Sequence, residues 1–181
     1  MEMLWVILNL LGVEQTVTGN DVRYVGDIHL AYMPFSHSIV TMMGVAVLAW
    51  IIIGKGFGYP DIGIAVGIGV ISHLLLDLIT HSNDIAIAPF LNGSRYGLGL
   101  YAKFPLVAFA LEIGYGIGCW WIYRGGLVLL IVIVVVNLAN ISMFSTAIPG
   151  IEKYMANQPL LITSVVLAQI LVTLTLVGIF S

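Results

Sequence analysis

Five apolar runs of about twenty residues, at roughly 38–54, 62–81, 104–123, 126–148 and 159–180, decide what this chain can become. At about 1.5 Å of rise per residue a helix of that length matches the roughly 30 Å hydrocarbon thickness of a bilayer, and a helix satisfies its own backbone there. Charged residues make up only 8% of the 181, against roughly 25% in a soluble domain, so lipid must cover part of the apolar surface. The sequence predicts an all-α, polytopic membrane bundle of five full transmembrane helices. A sixth run, Leu4 to Val13, reaches only about 15 Å and predicts a short N-terminal half-helix. Glu2 in the leader and the lack of a small-x-small cleavage site argue against a signal peptide.

Composition also removes some functions. The formal net charge is −3 and no basic run is present, so nucleic acid is not an expected partner. Cys119 is the single cysteine and cannot close an intrachain disulfide; beside Trp120 it is expected as a small core residue. Gly63-x3-Gly67 and Gly114-Tyr-Gly116-Ile-Gly118 fall inside spans, where small residues let helix backbones approach, and no strand precedes them as a nucleotide loop would need. Asn137 and Asn140 are expected to bond across helices. If the helices alternate direction, the two long loops, 14–37 and 82–103, share one face. Arg23, Arg95, Lys103 and Lys153 then lie on that face against Lys55 and Arg124 on the other, which makes it cytoplasmic by the positive-inside rule.

The chemistry is concentrated in His73-Leu-Leu-Leu-Asp77-Leu-Ile-Thr-His81, an H-x3-D-x3-H array at the end of the second full span. Steps of four keep the three side chains on one helical stripe. An Asp inside a span costs roughly 2.5–3.5 kcal/mol on insertion scales, so it needs partners. Imidazole and carboxylate are ligands for zinc, manganese or iron. The same stripe is also compatible with a satisfied polar network or with a proton or ion pathway. His37, together with Asp27 and His29 in the loop before it, is expected near the same face, and Glu112 at similar depth in the 104–123 span. His37, His73, Asp77, His81, His29 and Asp27 are therefore the candidate metal ligands. Glu112 is a ligand, a general base or an orienting group.

The blocks Pro34-Phe-Ser36-His37-Ser38, Ser72-His73 through Asp77 to His81 with Asp84, Pro89, Gly97-Leu-Gly99-Leu100-Tyr101 and Leu111-Glu112 resemble the prokaryotic membrane-bound metal-dependent hydrolases, a family likened to zinc-dependent phospholipase C. The resemblance covers about residues 1–124. It implies that His37, His73, Asp77 and His81 hold metal, that Glu112 belongs to the same site, and that the chain resides in the cytoplasmic (inner) membrane. Members of that family usually begin with a short Gly-His segment ahead of a helix reading like Asp-Leu-Leu-Trp-Pro, whereas this chain starts Met1-Glu2-Met3-Leu4-Trp5. Glu2 stands where that helix carries an acid, and a longer natural chain with a further histidine is expected.

These readings describe one integral membrane domain over 1–181, with a metal-site region in 1–124 and two scaffold helices in 125–181. The expected function is hydrolysis of a lipid-like phosphate or ester by a metal-activated water, with a divalent metal, zinc foremost, as cofactor, membrane lipid as surroundings, and Asp77 or Glu112 taking the proton. The alternatives are a transporter or proton- or ion-conducting protein using the same stripe, and a non-catalytic protein in which metal staples helices.

Overall fold

The structure is a computed structural model that describes residues 1–91 and 93–181. Four helices among the described residues are long and apolar enough to cross a membrane: Ile39–Gly56, Pro60–Thr80, Pro105–Tyr123 and Pro159–Phe180. The expected fifth span stops short. Its helix covers Leu127–Ala139, 13 residues, or about 20 Å. After Asn140 the backbone tightens into a 3-10 turn over Ile141–Phe144. Asn137 and Asn140 do not bond across helices as expected; their Nδ2 atoms donate to the carbonyls of Ile133 and Val136, four residues back on their own helix, at 2.8 and 3.1 Å. Side chains that compete for backbone partners in this way favour helix ends.

The chain divides into two compact units, Met1–Thr16 with Leu30–Gly99, and Val17–His29 with Leu100–Ser181. The first contains α1 (Glu2–Leu10), α2 (Ile39–Ala49), which continues as a π-helical segment over Trp50–Gly56, and α3 (Pro60–Thr80). A short strand β1 (Gln15–Thr18) pairs with β2 (Ile28–Tyr32). Helix α3 starts with Pro at its first position, where a missing N–H costs nothing, and Asp61 lies in its first turn, favourable to the helix dipole. Gly63 and Gly67 seat it on the preceding helix. A β-carbon on Gly63 would lie 2.8 Å from the Gly54 nitrogen, and one on Gly67 3.2 Å from the Ala46 oxygen. This is the close backbone packing expected of small residues four apart.

The end of this unit that matters chemically is built by the loops. Ala86 N donates to His37 O (3.3 Å), Ile39 N to Ala86 O (3.0 Å) and Val40 N to Ile87 O (2.9 Å). Ile85 and Tyr96 exchange backbone bonds at 3.0 and 2.8 Å. The start of α2 and the chain leaving α3 are thereby locked together at one end of the helix pair. Below them Met42, Leu74 and Ile85 form a buried core, with Met1, Val70 and Leu78 packed against it. The chain then folds back over the α3 terminus, where Leu98 N and Gly99 N donate to the carbonyls of Leu78 and His81. Gly97 permits this approach: its φ is +153°, and a β-carbon there would fall 2.4 Å from His81 O and closer still to Ser82 O.

The second unit holds α4 (Leu100–Lys103), α5 (Pro105–Tyr123), α6 (Leu127–Ala139) and α7 (Pro159–Phe180). Gly116 lies where a β-carbon would be 2.9 Å from Ile133 of α6, so this glycine, too, serves helix packing. Cys119 is exposed on α5, not buried in a protein core as expected; on a membrane-crossing helix lipid covers such a position.

Gly97→Ala should lower stability by more than about 1 kcal/mol, because alanine fits neither the φ nor the space. Gly69→Ala, in a helix with open space around the glycine, should be neutral or stabilising by up to about 1 kcal/mol. Thermal unfolding of both variants in detergent micelles checks the pair.

Candidate metal centre

Five ionisable side chains of the first unit converge. Among the described residues, the donor atoms of Glu2, His37 and His73 lie within 4.8 Å of one another, and so do those of His37, Asp77 and His81. His37 belongs to both groups. His73 and Asp77 come from consecutive turns of α3, as their spacing predicts. His81 departs from the expected stripe: the helix ends at Thr80 and His81 is extended, with φ −70° and ψ 154°. Its ring nevertheless reaches His37, centroid to centroid 5.8 Å at an interplanar angle of 69°. His37 arrives from the lead-in to α2, and Glu2 from the first residue of α1.

The separations carry chemical information. Glu2 Oε1 is 3.6 Å from His37 Nε2 and 3.2 Å from His73 Nε2, and His73 Nε2 is 3.4 Å from Asp77 Oδ2. Ligands about 2.0–2.1 Å from a tetrahedral ion stand about 3.3–3.4 Å apart. His73 Nε2 and Asp77 Oδ2 are buried and make no hydrogen bond; the neighbours are at the right distance and in the wrong direction. Buried polar atoms normally find partners. Ligand-type atoms that stand close together without bonding one another are compatible with an ion-binding cluster, and an all-nitrogen-and-oxygen set of imidazoles and carboxylates suits zinc, manganese or iron.

Electrostatics set the charge states of the metal-free cluster. Burial pushes the His81 imidazolium down to about 3, assisted by the neighbouring positive charge of His37, so this ring is neutral and able to ligate. Burial also opposes charge on Glu2 and His37, yet their mutual contact wins: the Glu2 carboxyl is held well below its usual range by His37 and His73, and His37 is raised by Glu2.

The other expected residues lie elsewhere. Asp27 and His29 belong to the second unit. Asp27 receives a forked contact from Arg23, Nε at 3.2 Å and Nη2 at 3.3 Å, and His29 is exposed on β2. Glu112 is on α5, also in the second unit, where Tyr101 Oη donates to its Oε1 at 2.5 Å. None of the three belongs to either ligand group.

A family model described as YdjM inner membrane protein matches residues 22–148, more than half of the chain. The chain belongs to the YdjM inner membrane protein family. With four membrane-length apolar helices, this YdjM-family chain is an integral, multi-pass protein of the inner membrane. Neither a curated protein nor a solved structure matches it.

One further residue of this end was not anticipated. Glu14 is 1% exposed and accepts from Phe35 N (2.8 Å), Ser36 N (2.9 Å) and Ser36 Oγ (2.5 Å). Nothing in its local sequence signals this, because its partners are more than twenty residues away; the acidic residue directly after an apolar run was the one available hint. A cavity of about 90 Å³ lies between residues 32–34 and 84–95 of the same unit, lined in part by Asp84 and Arg95.

Diethylpyrocarbonate should modify exposed His29 first and His37, 2% exposed, last. A divalent metal should protect His73 further. Peptide mass spectrometry over a time course reads the order, and rapid modification of His37 would contradict the packing described.

Proposed function

We propose that this protein is a metal-dependent hydrolase of the inner membrane that acts on a lipid-like phosphate or ester. The observation that carries the reading is the convergence of Glu2, His37, His73, Asp77 and His81, with His73 Nε2 and Asp77 Oδ2 buried and lacking hydrogen bonds. Three or four of these five side chains would hold a divalent ion, zinc foremost, which leaves a position open for water. When bound, such an ion supplies Lewis-acid polarisation of a phosphoryl or acyl oxygen and lowers the pKa of water toward 7.

The residues of the chain do the rest. His37 and His81 are fixed by the loop pairing around Ala86 and by the α3 terminus, so the cluster keeps its geometry as substrate arrives. Asp77, where it is not itself a ligand, would accept the proton of the attacking water; Glu112 belongs to the second unit, where it accepts from Tyr101 Oη. The resemblance to membrane-bound metal-dependent hydrolases supports the reaction class.

Protein purified in detergent should retain near-stoichiometric divalent metal by mass spectrometry. Asp77→Ala should empty the site and lower stability, since the neighbouring imidazoles lose a charged partner. Hydrolysis of a panel of lipid phosphates and esters should depend on metal and fall by orders of magnitude in Asp77→Asn; the same loss in Glu112→Gln would assign Glu112 a share in the proton transfer. Full metal retention by Asp77→Ala would overturn the site. A parent protein that hydrolyses nothing but carries protons or ions into vesicles would replace this reading with a transport one.

A further inference from the structure

We propose that Glu14 and Ser36 set the tautomer of His37, placing the proton on Nδ1 so that the Nε2 lone pair faces Glu2 and His73. Glu14 is then a positioning residue, acting on the cluster through Ser36 and His37. The claim about the tautomer stands on hydrogen-bond geometry alone; its consequence for metal binding rests on the hydrolase reading above.

The contacts form a chain of three atoms in a buried place. Glu14, Ser36 and His37 are 1%, 0% and 2% exposed. Glu14 Oε1 is occupied by two backbone N–H donors, Phe35 N and Ser36 N. Glu14 Oε2 lies 2.5 Å from Ser36 Oγ, and Ser36 Oγ lies 2.7 Å from His37 Nδ1. A serine hydroxyl has one proton and a carboxylate has none. The Ser36 proton therefore goes to Glu14 Oε2, and the short contact on the other side is made by Nδ1–H donating to Ser36 Oγ. A neutral imidazole that carries its proton on Nδ1 has a bare Nε2; His37 Nε2 stands 3.6 Å from Glu2 Oε1, beyond hydrogen-bond distance, so the 2.7 Å contact at Nδ1 decides the tautomer. The reverse tautomer would leave Nδ1 and Ser36 Oγ face to face with no proton between them, a loss that burial makes costly.

Glu14 also has a plain structural role, because its Oε1 ties the end of the α1–β1 connection to the lead-in of α2. The two roles use different oxygens, which makes them separable. In Glu14→Gln the two backbone donors require the amide oxygen at the Oε1 position, so the amide NH2 faces Ser36 Oγ and donates to it. Ser36 must then turn its proton toward His37 Nδ1, and the relay inverts: His37 is held with its proton on Nε2, the wrong end for a ligand. Ser36→Ala removes the link altogether, whereas Ser36→Thr keeps the hydroxyl.

The test uses the full chain in detergent with 15N-labelled histidine, stripped of metal and held under alkaline conditions where imidazoles are neutral, with His37 assigned from the spectrum of His37→Gln. The parent and Ser36→Thr should show the Nδ1–H tautomer, Glu14→Gln the Nε2–H tautomer, and Ser36→Ala a mixture. Zinc affinity, measured by competition with a chromogenic chelator, should fall about 10- to 100-fold in Glu14→Gln and Ser36→Ala and be rescued in Ser36→Thr. A merely structural Glu14 would move the melting temperature and leave the tautomer unchanged. An Nδ1–H tautomer in folded Glu14→Gln, or parent-like tautomer and affinity in folded Ser36→Ala, overturns the proposal. If the tautomers follow the expected order and the parent binds no zinc, the relay stands and the metal reading falls.

Discussion

Asp77 is a carboxylate on a membrane-crossing helix, 5% exposed, and the first unit is organised around making that position tolerable. An unpaired Asp at the centre of a span costs roughly 2.5–3.5 kcal/mol even on lenient scales; Asp77 lies three residues before the end of α3, where the cost is smaller but burial still demands partners. His73, one turn back on the same helix, answers part of the cost, but the remaining partners come from distant parts of the sequence. Delivering them requires the loop after α3 to pair with the lead-in of α2 and Gly97 to let the chain cross the α3 terminus. The apolar core of Met42, Leu74 and Ile85 lies among these same elements, so packing and electrostatics constrain the same few segments.

How much of this can be read in the sequence depends on the range of the interaction. Membrane crossing follows from run length and apolar content, and four of the five anticipated spans are present. The fifth fails because a run of apolar residues does not show where Asn137 and Asn140 will turn back on their own helix. The pairing of His73 with Asp77 is a local consequence of helical periodicity and is legible. The approach of His37 to His81 follows from expecting both loops on one face. The parts that were not legible are long-range: Glu14 seeks donors at Phe35 and Ser36 through a turn that no periodicity signals, and Glu2 reaches His73 from α1, where Met1 packs on the core and Asn9 bonds to Thr16 at 2.9 Å. Asp27 looked like a ligand from its place in the loop and is instead matched to Arg23, a partner four residues away.

The second unit has a different character. Its α7 carries exposed Leu160, Leu171, Leu174 and Ile179, as expected of a helix whose covering is lipid, and the spans from residue 126 onward hold no ionisable side chain. Side chains of the described residues able to ligate a metal as a group are confined to the first unit. The family match covers residues 22–148, which includes His37, His73, Asp77 and His81 and leaves out Glu2 and Glu14.

X-ray absorption at the metal edge of protein purified from cells tests the central claim most directly, because it reports the identity of the ion and the atoms around it together. The account predicts a first shell of nitrogen and oxygen only, at about 2.0–2.2 Å, with the outer-shell scattering of at least two imidazoles. Absence of bound metal, a sulfur neighbour near about 2.3 Å, or a shell of water oxygens without imidazole scattering would contradict it.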